Sequence, residues 1–257
     1  MVVLRHTMVL TPVPRPWLVD ALAVLLDLAE DTRAEAGRVL LPDGREVPDV
    51  RIVAGGRHLR PGAVYESTAE GEPGETGRIT VEQWNRRRAL RLALAVSAPD
   101  GAFALRGTLH RPDRPRLLEI DGRARVENVW SALSRVSGAA RLRCDDWWAA
   151  ADRGRTTRTA PLSARVECVA SRADLRAVPE PGGPDGHWDV TVTVRLRGRW
   201  LLRPVAAVAL RLGRRRLRRS LARALDEWAA RWNDVVPALV ATGPDALRQE
   251  ILAADIT

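Results

Sequence analysis

The chain has 257 residues, of which 46% are hydrophobic and 28% charged, so it is long and apolar enough to form a folded core. All 41 residues counted as Lys+Arg are Arg. This excludes a Schiff-base lysine, a pyridoxal-phosphate anchor, a GK[ST] phosphate loop and an S-x-x-K nucleophile. The two cysteines, Cys144 and Cys168, are too few for a disulfide framework and too far apart for a C-x-x-C site.

The net charge of +9 has two interpretations. A basic chain is attracted to nucleic acid or to an anionic membrane, but an Arg-rich and Ala-rich composition also follows from GC-rich coding, as in actinobacteria. We favour the second, because net charge alone argues only weakly for a partner. No apolar run reaches the length of a membrane span and no secretory signal opens the chain, so we expect a cytoplasmic protein.

The first part of the chain predicts a strand, a helix and then short strands. Val2–Leu10 is apolar and β-branched and ends before a pair of prolines, which is typical of a strand. Pro16 then opens a helix whose apolar residues recur at helical spacing and which stops by Gly37. The Pro42-Asp43-Gly44 sequence predicts a hairpin turn. Further strands are expected at 50–54, 63–68 and 78–83.

The middle of the chain carries the clearest strand pattern. Apolar residues alternate with polar or small ones over 90–96 and again over 103–109, and Pro99-Asp100-Gly101 joins the two runs as a hairpin. Asp121-Gly122 predicts another hairpin turn, between strands at 117–120 and 123–129. Together these strands form an antiparallel meander.

Residues 128–162 are predicted to be an irregular or helical insertion in this meander. Trp130, Leu133 and Val136 fit one helical turn, and residues 145–151 fit another. Strands return at 162–170 and 189–197, with a loop rich in Pro and Gly at 179–186 between them.

The chain is predicted to end in helix. Leu217, Leu221, Leu225, Trp228 and Trp232 recur with spacings of four, four, three and four, so they form one apolar arc. On one continuous helix, the apolar residues before Gly213 would lie nearly opposite this arc. This predicts a break into two helical segments at Gly213.

In this order the elements resemble the START-like, or Bet v 1-like (SRPBCC), superfamily, which includes polyketide cyclases and lipid-transfer domains. The resemblance is carried by residues 3–28 and 189–232, roughly a third of the chain. It implies an α+β helix-grip fold, in which a curved antiparallel sheet is wrapped around a long C-terminal helix. A single domain is expected at 1–236, with a helical tail at 237–257. The chain is longer than the usual family member, at 37–60, at 128–162 and after 237.

The resemblance also implies a cavity between the sheet and the C-terminal helix that accepts a hydrophobic small molecule, polyketide-like or aromatic. Actinobacterial relatives in polyketide and enediyne gene clusters act as cyclases, carriers or self-resistance proteins, so natural-product biosynthesis or self-resistance is the expected role. Indole and phenol rings on a sheet-facing surface suit such a ligand. The residues expected to contact it are Tyr65, Trp84, Arg214, Leu221, Leu225, Trp228 and Trp232. Ordinary packing competes with this interpretation for any single Trp, and Arg214 in a first helical turn also reaches solvent easily.

No catalytic residue, metal site or cofactor is predicted. The four histidines lack metal-ligand spacing, and adjacent Asp145 and Asp146 on a helix point about 100° apart.

A cyclase that steers its substrate by pocket shape stays open as an alternative. Another is an Arg-rich module that docks on nucleic acid or an acidic protein, although few aromatics lie within it and a solvated helix face is favoured. Its residues are Arg211, Arg214, Arg215, Arg216, Arg218 and Arg219.

Overall fold

The computed structural model describes residues 1–53, 56–67, 76–126, 134–154, 159–182, 186–198 and 213–253. Within them the chain forms thirteen antiparallel strands and four helices, which confirms the predicted α+β class and a long helix near the C-terminus. Residue contacts divide the chain into two compact units, made of residues 1–14 with 129–241 and residues 15–128 with 242–257. None of the helices in the described ranges has the length and apolarity needed to cross a lipid bilayer.

The first unit contains five strands and two helices. Its strands are hydrogen-bonded in the order β1, β13, β12, β11, β10, so the first strand of the chain pairs with the last. The elements are β1 (Val2–Leu10), β10 (Arg135–Arg143), α2 (Cys144–Arg153), β11 (Leu162–Cys168), β12 (Ser171–Pro181), β13 (Trp188–Gly198) and α3 (Arg214–Thr242).

The sheet of the first unit has one apolar and one polar face. In β13 the even-numbered residues from Trp188 to Val194 are buried, whereas the odd-numbered residues from Asp189 to Arg195 are partly exposed. Strand alternation produces this division, because successive side chains point to opposite sides. Helix α2 packs on the buried side of this first sheet, where the ring of Trp147 contacts the ring of Trp188 edge to face, with ring centroids 6.0 Å apart.

Helix α3 is held at the end of β1 by side chains that bond to the backbone. Asn233 Oδ1 accepts a hydrogen bond from the Thr11 N–H at 2.7 Å, and Asn233 Nδ2 donates to the Val9 carbonyl at 2.9 Å. Trp232 Nε1 donates to the Thr11 carbonyl at 2.9 Å. Pro237 lies inside α3, which continues to Thr242.

The second unit contains eight strands and two helices. Its strands are hydrogen-bonded in sequence order from β2 to β9. Helices α1 and α4 pack against each other, and Arg248 Nη2 lies 2.6 Å from Asp31 Oδ2. The elements are α1 (Arg15–Asp31), β2 (Arg33–Glu35), β3 (Arg38–Leu40), β4 (Glu46–Ile52), β5 (Val64–Ser67), β6 (Thr76–Asn85), β7 (Ala89–Ala98), β8 (Gly101–His110), β9 (Leu117–Val126) and α4 (Pro244–Ala253).

The predicted hairpin turn at Asp121-Gly122 is wrong. Both residues lie within the continuous strand β9, where Asp121 pairs with Arg106 and Gly122 pairs with Leu105. A Cβ atom on Gly122 would meet the end of the Leu105 side chain, so Leu105 would have to move to make room for it.

Two further parts of the chain differ from the predictions, at β10 and at β12. Val136 lies in β10, not in a helix, because Val136, Gly138, Ala140 and Leu142 alternate as strand residues. The first helix does stop before Gly37, as predicted: it ends at Asp31, and residues 33–35 form a short strand that turns back through Ala36 and Gly37, both with positive φ. Strand β12 was not predicted. The predicted helix over 145–151 is confirmed by α2.

Several predictions fall outside the described residues or remain untested. Trp130 and Leu133 lie outside them, as does the segment before the expected break at Gly213. The single domain over 1–236 stays a prediction. Its proposed boundary at 237 falls within α3, and α4 follows after Gly243.

Candidate functional site

One face of the second unit's sheet is lined by apolar side chains in cross-strand rows. Residues directly opposite each other on antiparallel strands point to the same side of a sheet. We call this side the apolar face. Its rows are Tyr65–Ile79–Leu94–Leu105–Gly122, Val81–Leu92–Gly107–Ile120, Gly77–Val96–Phe103–Ala124 and Trp84–Leu90–Leu109–Leu118.

A large part of the apolar face is open. Five large apolar side chains have exposed fractions between 37% and 43%: Ile79, Leu92, Phe103, Leu105 and Ile120. A sheet face that meets only water is ordinarily polar. A contiguous group of large apolar side chains therefore marks a surface that meets another molecule.

Helix α1 lies at the other end of the apolar face, beside Trp84. The Trp84 indole N–H donates to Glu30 Oε1 at 2.9 Å. Arg86 donates to the same oxygen at 2.8 Å and to Asp27 at 2.5 Å. Leu90, in the Trp84 row, is buried. The apolar face thus has a covered end and an open end.

A gap lies in the middle of the open rows. Gly107 stands between Leu92 and Ile120, and a Cβ atom placed on it would meet no atom within 4 Å. At Gly122 the space above the backbone is filled by the Leu105 side chain. An apolar group of a ligand therefore has room to approach the backbone at Gly107 but not at Gly122.

Tyr65, at the β5 side of the apolar face, belongs to a chain of hydrogen bonds. Its hydroxyl accepts from the Leu59 N–H at 2.9 Å and lies 2.8 Å from His58 Nδ1. His58 Nε2 lies 2.8 Å from Thr32 Oγ1, which itself donates to the Ala29 carbonyl at 2.6 Å. Because the Thr32 proton is used there, His58 Nε2 carries a proton and Nδ1 accepts one from Tyr65.

This arrangement favours the neutral forms of both rings. Burial lowers the pKa of His58, and the bond to the Ala29 backbone offsets only part of this effect. Burial also raises the pKa of Tyr65. Leu59, which supplies the N–H, has a φ of 52°, an uncommon conformation for a leucine. At neutral pH the pair presents an uncharged polar edge to the apolar face.

The predicted ligand residues fall into two groups. Tyr65 and Trp84 share the apolar face of the second unit. The others lie on α3 in the first unit: Arg214, Leu221, Leu225, Trp228 and Trp232. Arg214 is exposed in the first turn, and Leu221 and Leu225 are half-buried.

The two tryptophans of α3 have different surroundings. Trp232 is half-buried, and its N–H is used to hold α3 against β1. Trp228 is 45% exposed, with its ring centroid 5.4 Å from that of Trp232. Ligand contact by the predicted residues stays a prediction.

Sequence reasoning missed the residues that leave the apolar face open. The alternation in β7 and β8 predicts one buried and one wet face in each strand. The apolar side exists, but the prediction that it is buried is wrong, because Leu92, Phe103 and Leu105 on it are 37–40% exposed. The gap at Gly107 and the contact of His58 with Tyr65 depend on strand register and on a loop. His58 was treated as an isolated histidine. Among the described residues, no group of three or more His, Cys, Asp or Glu is placed to hold a metal ion.

The chain was compared with protein-family models, with curated proteins and with solved structures, and no match was found in any of the three comparisons.

Proposed function

We propose that the chain binds a hydrophobic small molecule, aromatic or polyketide-like, and that the open part of the apolar face contacts it. The observation that carries this proposal is the group of five half-exposed apolar side chains around the unfilled position at Gly107. Covering them would remove apolar area from water, at about 25 cal/mol per Å². Tyr65, with its hydroxyl held by His58, supplies a polar group at one side.

A helix-grip fold is part of this proposal. In support, β1 pairs with the last strand, a helix follows β1 in the chain, and the long helix α3 follows β13. We propose natural-product biosynthesis or self-resistance as the setting, on the resemblance to START-like proteins. Cys144 and Cys168 are not joined by a disulfide in the described part of the chain, which is compatible with a reducing cytoplasm.

Binding is favoured over cyclisation by the character of the open rows. Their side chains are hydrocarbon, and hydrocarbon provides surface and shape without acid–base chemistry. A cyclase would depend on Tyr65 or His58 for proton transfer. In the structure the Tyr65 hydroxyl is already held by the Leu59 N–H and by His58.

The experiment is a titration with the neutral fluorescent probe N-phenyl-1-naphthylamine. Gly107→Val fills the gap with a residue that favours strands, so we expect the probe affinity to fall at least about tenfold while the fold is kept. Ala104→Val is the matched control, because Ala104 lies on the same strand and points to the opposite face. Equal probe affinity in both variants and the unmodified chain, or no saturable binding, would contradict the proposal.

The Arg-rich alternative has one supporting observation. Arg214, Arg215 and Arg216 are exposed in the first turn of α3, and Arg218, Arg219 and Arg223 are exposed after it. A solvated helix face has the same appearance, so the test is salt dependence. Duplex DNA binding that vanishes at physiological salt identifies a merely basic surface. Tight DNA binding that is weakened by the double substitution Arg215→Gln with Arg219→Gln would instead favour the docking role.

A further inference from the structure

The polar face of the first unit's sheet carries a basic depression of about 550 Å³. Six arginines from four adjacent strands line it, against one carboxylate. We call it the arginine basin. Its charged residues are Arg141, Arg165, Arg172, Arg176, Arg195, Arg197 and Asp174.

The arrangement of charge within the arginine basin is unfavourable for the sheet alone. Arg172 lies directly opposite Arg197, and like charges in that position destabilise a strand pair. Asp174 has an arginine directly opposite it on each neighbouring strand, Arg165 on β11 and Arg195 on β13. The sheet therefore concentrates positive charge that its own carboxylates do not balance.

Asp174 accepts hydrogen bonds from two of these arginines. Arg165 Nε lies 2.9 Å from Asp174 Oδ1, and Arg172 donates to both carboxylate oxygens at 2.9 to 3.1 Å. Hydrogen bonds from Arg172, and then from Arg165, hold the pKa of Asp174 below its usual value despite burial. Glu167, 3.6 Å from Arg172, adds to this cluster.

Arg141 also has an interaction of its own, which leaves three of the six arginines for a ligand. In the part of the chain that the structure describes, Arg176, Arg195 and Arg197 have no hydrogen-bond or ion-pair partner. Arg195 is half-buried. Ser163, directly opposite Arg176, adds a hydroxyl to the lining.

The lining indicates the class of ligand. Guanidinium groups bind phosphate oxygens through paired N–H donors, and several in one depression match several phosphates. The lining contains no aromatic side chain, and single-stranded nucleic acids are bound largely by stacking on such side chains. A volume of about 550 Å³ suits a small molecule.

We propose that the arginine basin binds a small molecule that carries two or more phosphate groups, with Arg176, Arg195 and Arg197 as its principal ligands. Arg165 and Arg172, fixed by Asp174, form the rim and keep positive charge in place before the ligand arrives. Preformed charge of this kind lowers the ordering cost of binding.

Calorimetric titration with inorganic tripolyphosphate at physiological salt tests the proposal. We expect saturable binding, tighter than that of orthophosphate, because more phosphates meet more guanidiniums. Arg176→Gln with Arg195→Gln should weaken it by about tenfold or more. Both side chains lack partners in the described chain, so the fold is expected to survive, and thermal unfolding checks this.

The matched control is Arg223→Gln with Arg231→Gln, which removes the same charge from exposed positions on α3 in the same unit. We expect it to change affinity by less than about twofold, because distant exposed charges are screened by salt. Equal weakening in both double variants, or no saturable binding, would overturn the proposal. It would also be overturned if a single-stranded oligonucleotide bound more tightly than tripolyphosphate and lost affinity in the basin variant alone.

Discussion

At the scale of single residues, two glycines on the apolar face have opposite surroundings. A Cβ at Gly122 would collide with Leu105 and lie 3.1 Å from the Ala104 carbonyl oxygen, whereas a Cβ at Gly107 would meet open space. Neither glycine has a φ that disfavours other residues. The preference for glycine at Gly122 is therefore steric, and an open surface is left at Gly107.

This difference predicts the stability of two alanine variants. Gly107→Ala should be neutral or stabilising, because alanine restricts the unfolded chain more than glycine does. Gly122→Ala should be less stable than Gly107→Ala by about 1 kcal/mol, because Leu105 must move. Urea unfolding of both variants measures the difference. Equal unfolding free energies would show that Leu105 does not lie over Gly122.

His58 predicts a pH dependence of stability. Its pKa is lowered in the folded chain from an ordinary 6.5, so the unfolded chain binds the proton more readily. The free energy of unfolding should therefore fall as pH drops below about 6.5, until the folded-state pKa is passed. The lowered pKa values of Glu30, Asp43 and Asp174 act at more acidic pH and do not contribute in this window.

His58→Asn removes the titrating group and provides the comparison. Unfolding in urea at pH 7 and at pH 5 should show a larger loss of stability in the unmodified chain than in the variant. The other histidines are common to both chains, so the difference isolates His58. A loss of the same size in both would mean that His58 titrates normally in the fold.

At the scale of elements, the attachment of α3 depends on few contacts. The amide of Asn233 satisfies both the Thr11 N–H and the Val9 carbonyl, and Trp232 satisfies the Thr11 carbonyl. Within the helix, Ala229 and Val236 are buried. The hydrogen bonds therefore fix where α3 lies along β1.

Asn233→Ala should lower the free energy of unfolding by about 1 kcal/mol, because the part-buried Thr11 N–H loses its partner and the exposed Val9 carbonyl must bond to water instead. Asp234→Ala is the control, since Asp234 is exposed on the next position of the same helix. We expect its effect to stay within about 0.5 kcal/mol. Matching losses in the two variants would show that Asn233 does not anchor the helix.

The same elements show what sequence patterns could predict. Strands β7, β8 and β13 were predicted because large apolar residues alternate along them, and β1 was predicted because it is rich in β-branched and apolar residues. Strand β10 was misread because Gly138 and Ala140 occupy its apolar positions and weaken the alternation. Gly122 was misread because Asp-Gly is a common turn sequence, and only the cross-strand contact with Leu105 shows its role.

At the scale of the whole molecule, each unit has one surface whose composition its own packing does not explain. In the second unit it is the open apolar face, and in the first it is the arginine basin. Tyr65 and Trp84 were predicted from their residue type and do share the apolar face. The basin was not predicted, because its arginines come from four strands and meet only through register.

Methyl NMR with N-phenyl-1-naphthylamine tests the central claim, that the open apolar face binds a hydrophobic ligand, most directly. In a chain with labelled Ile, Leu and Val methyls, we expect saturable shifts at Leu92, Leu105 and Ile120 around the gap at Gly107. Val190 and Val192, which are buried in the first unit, should not shift. Shifts confined to Leu221 and Leu225 of α3, or no saturable shifts, would contradict the claim.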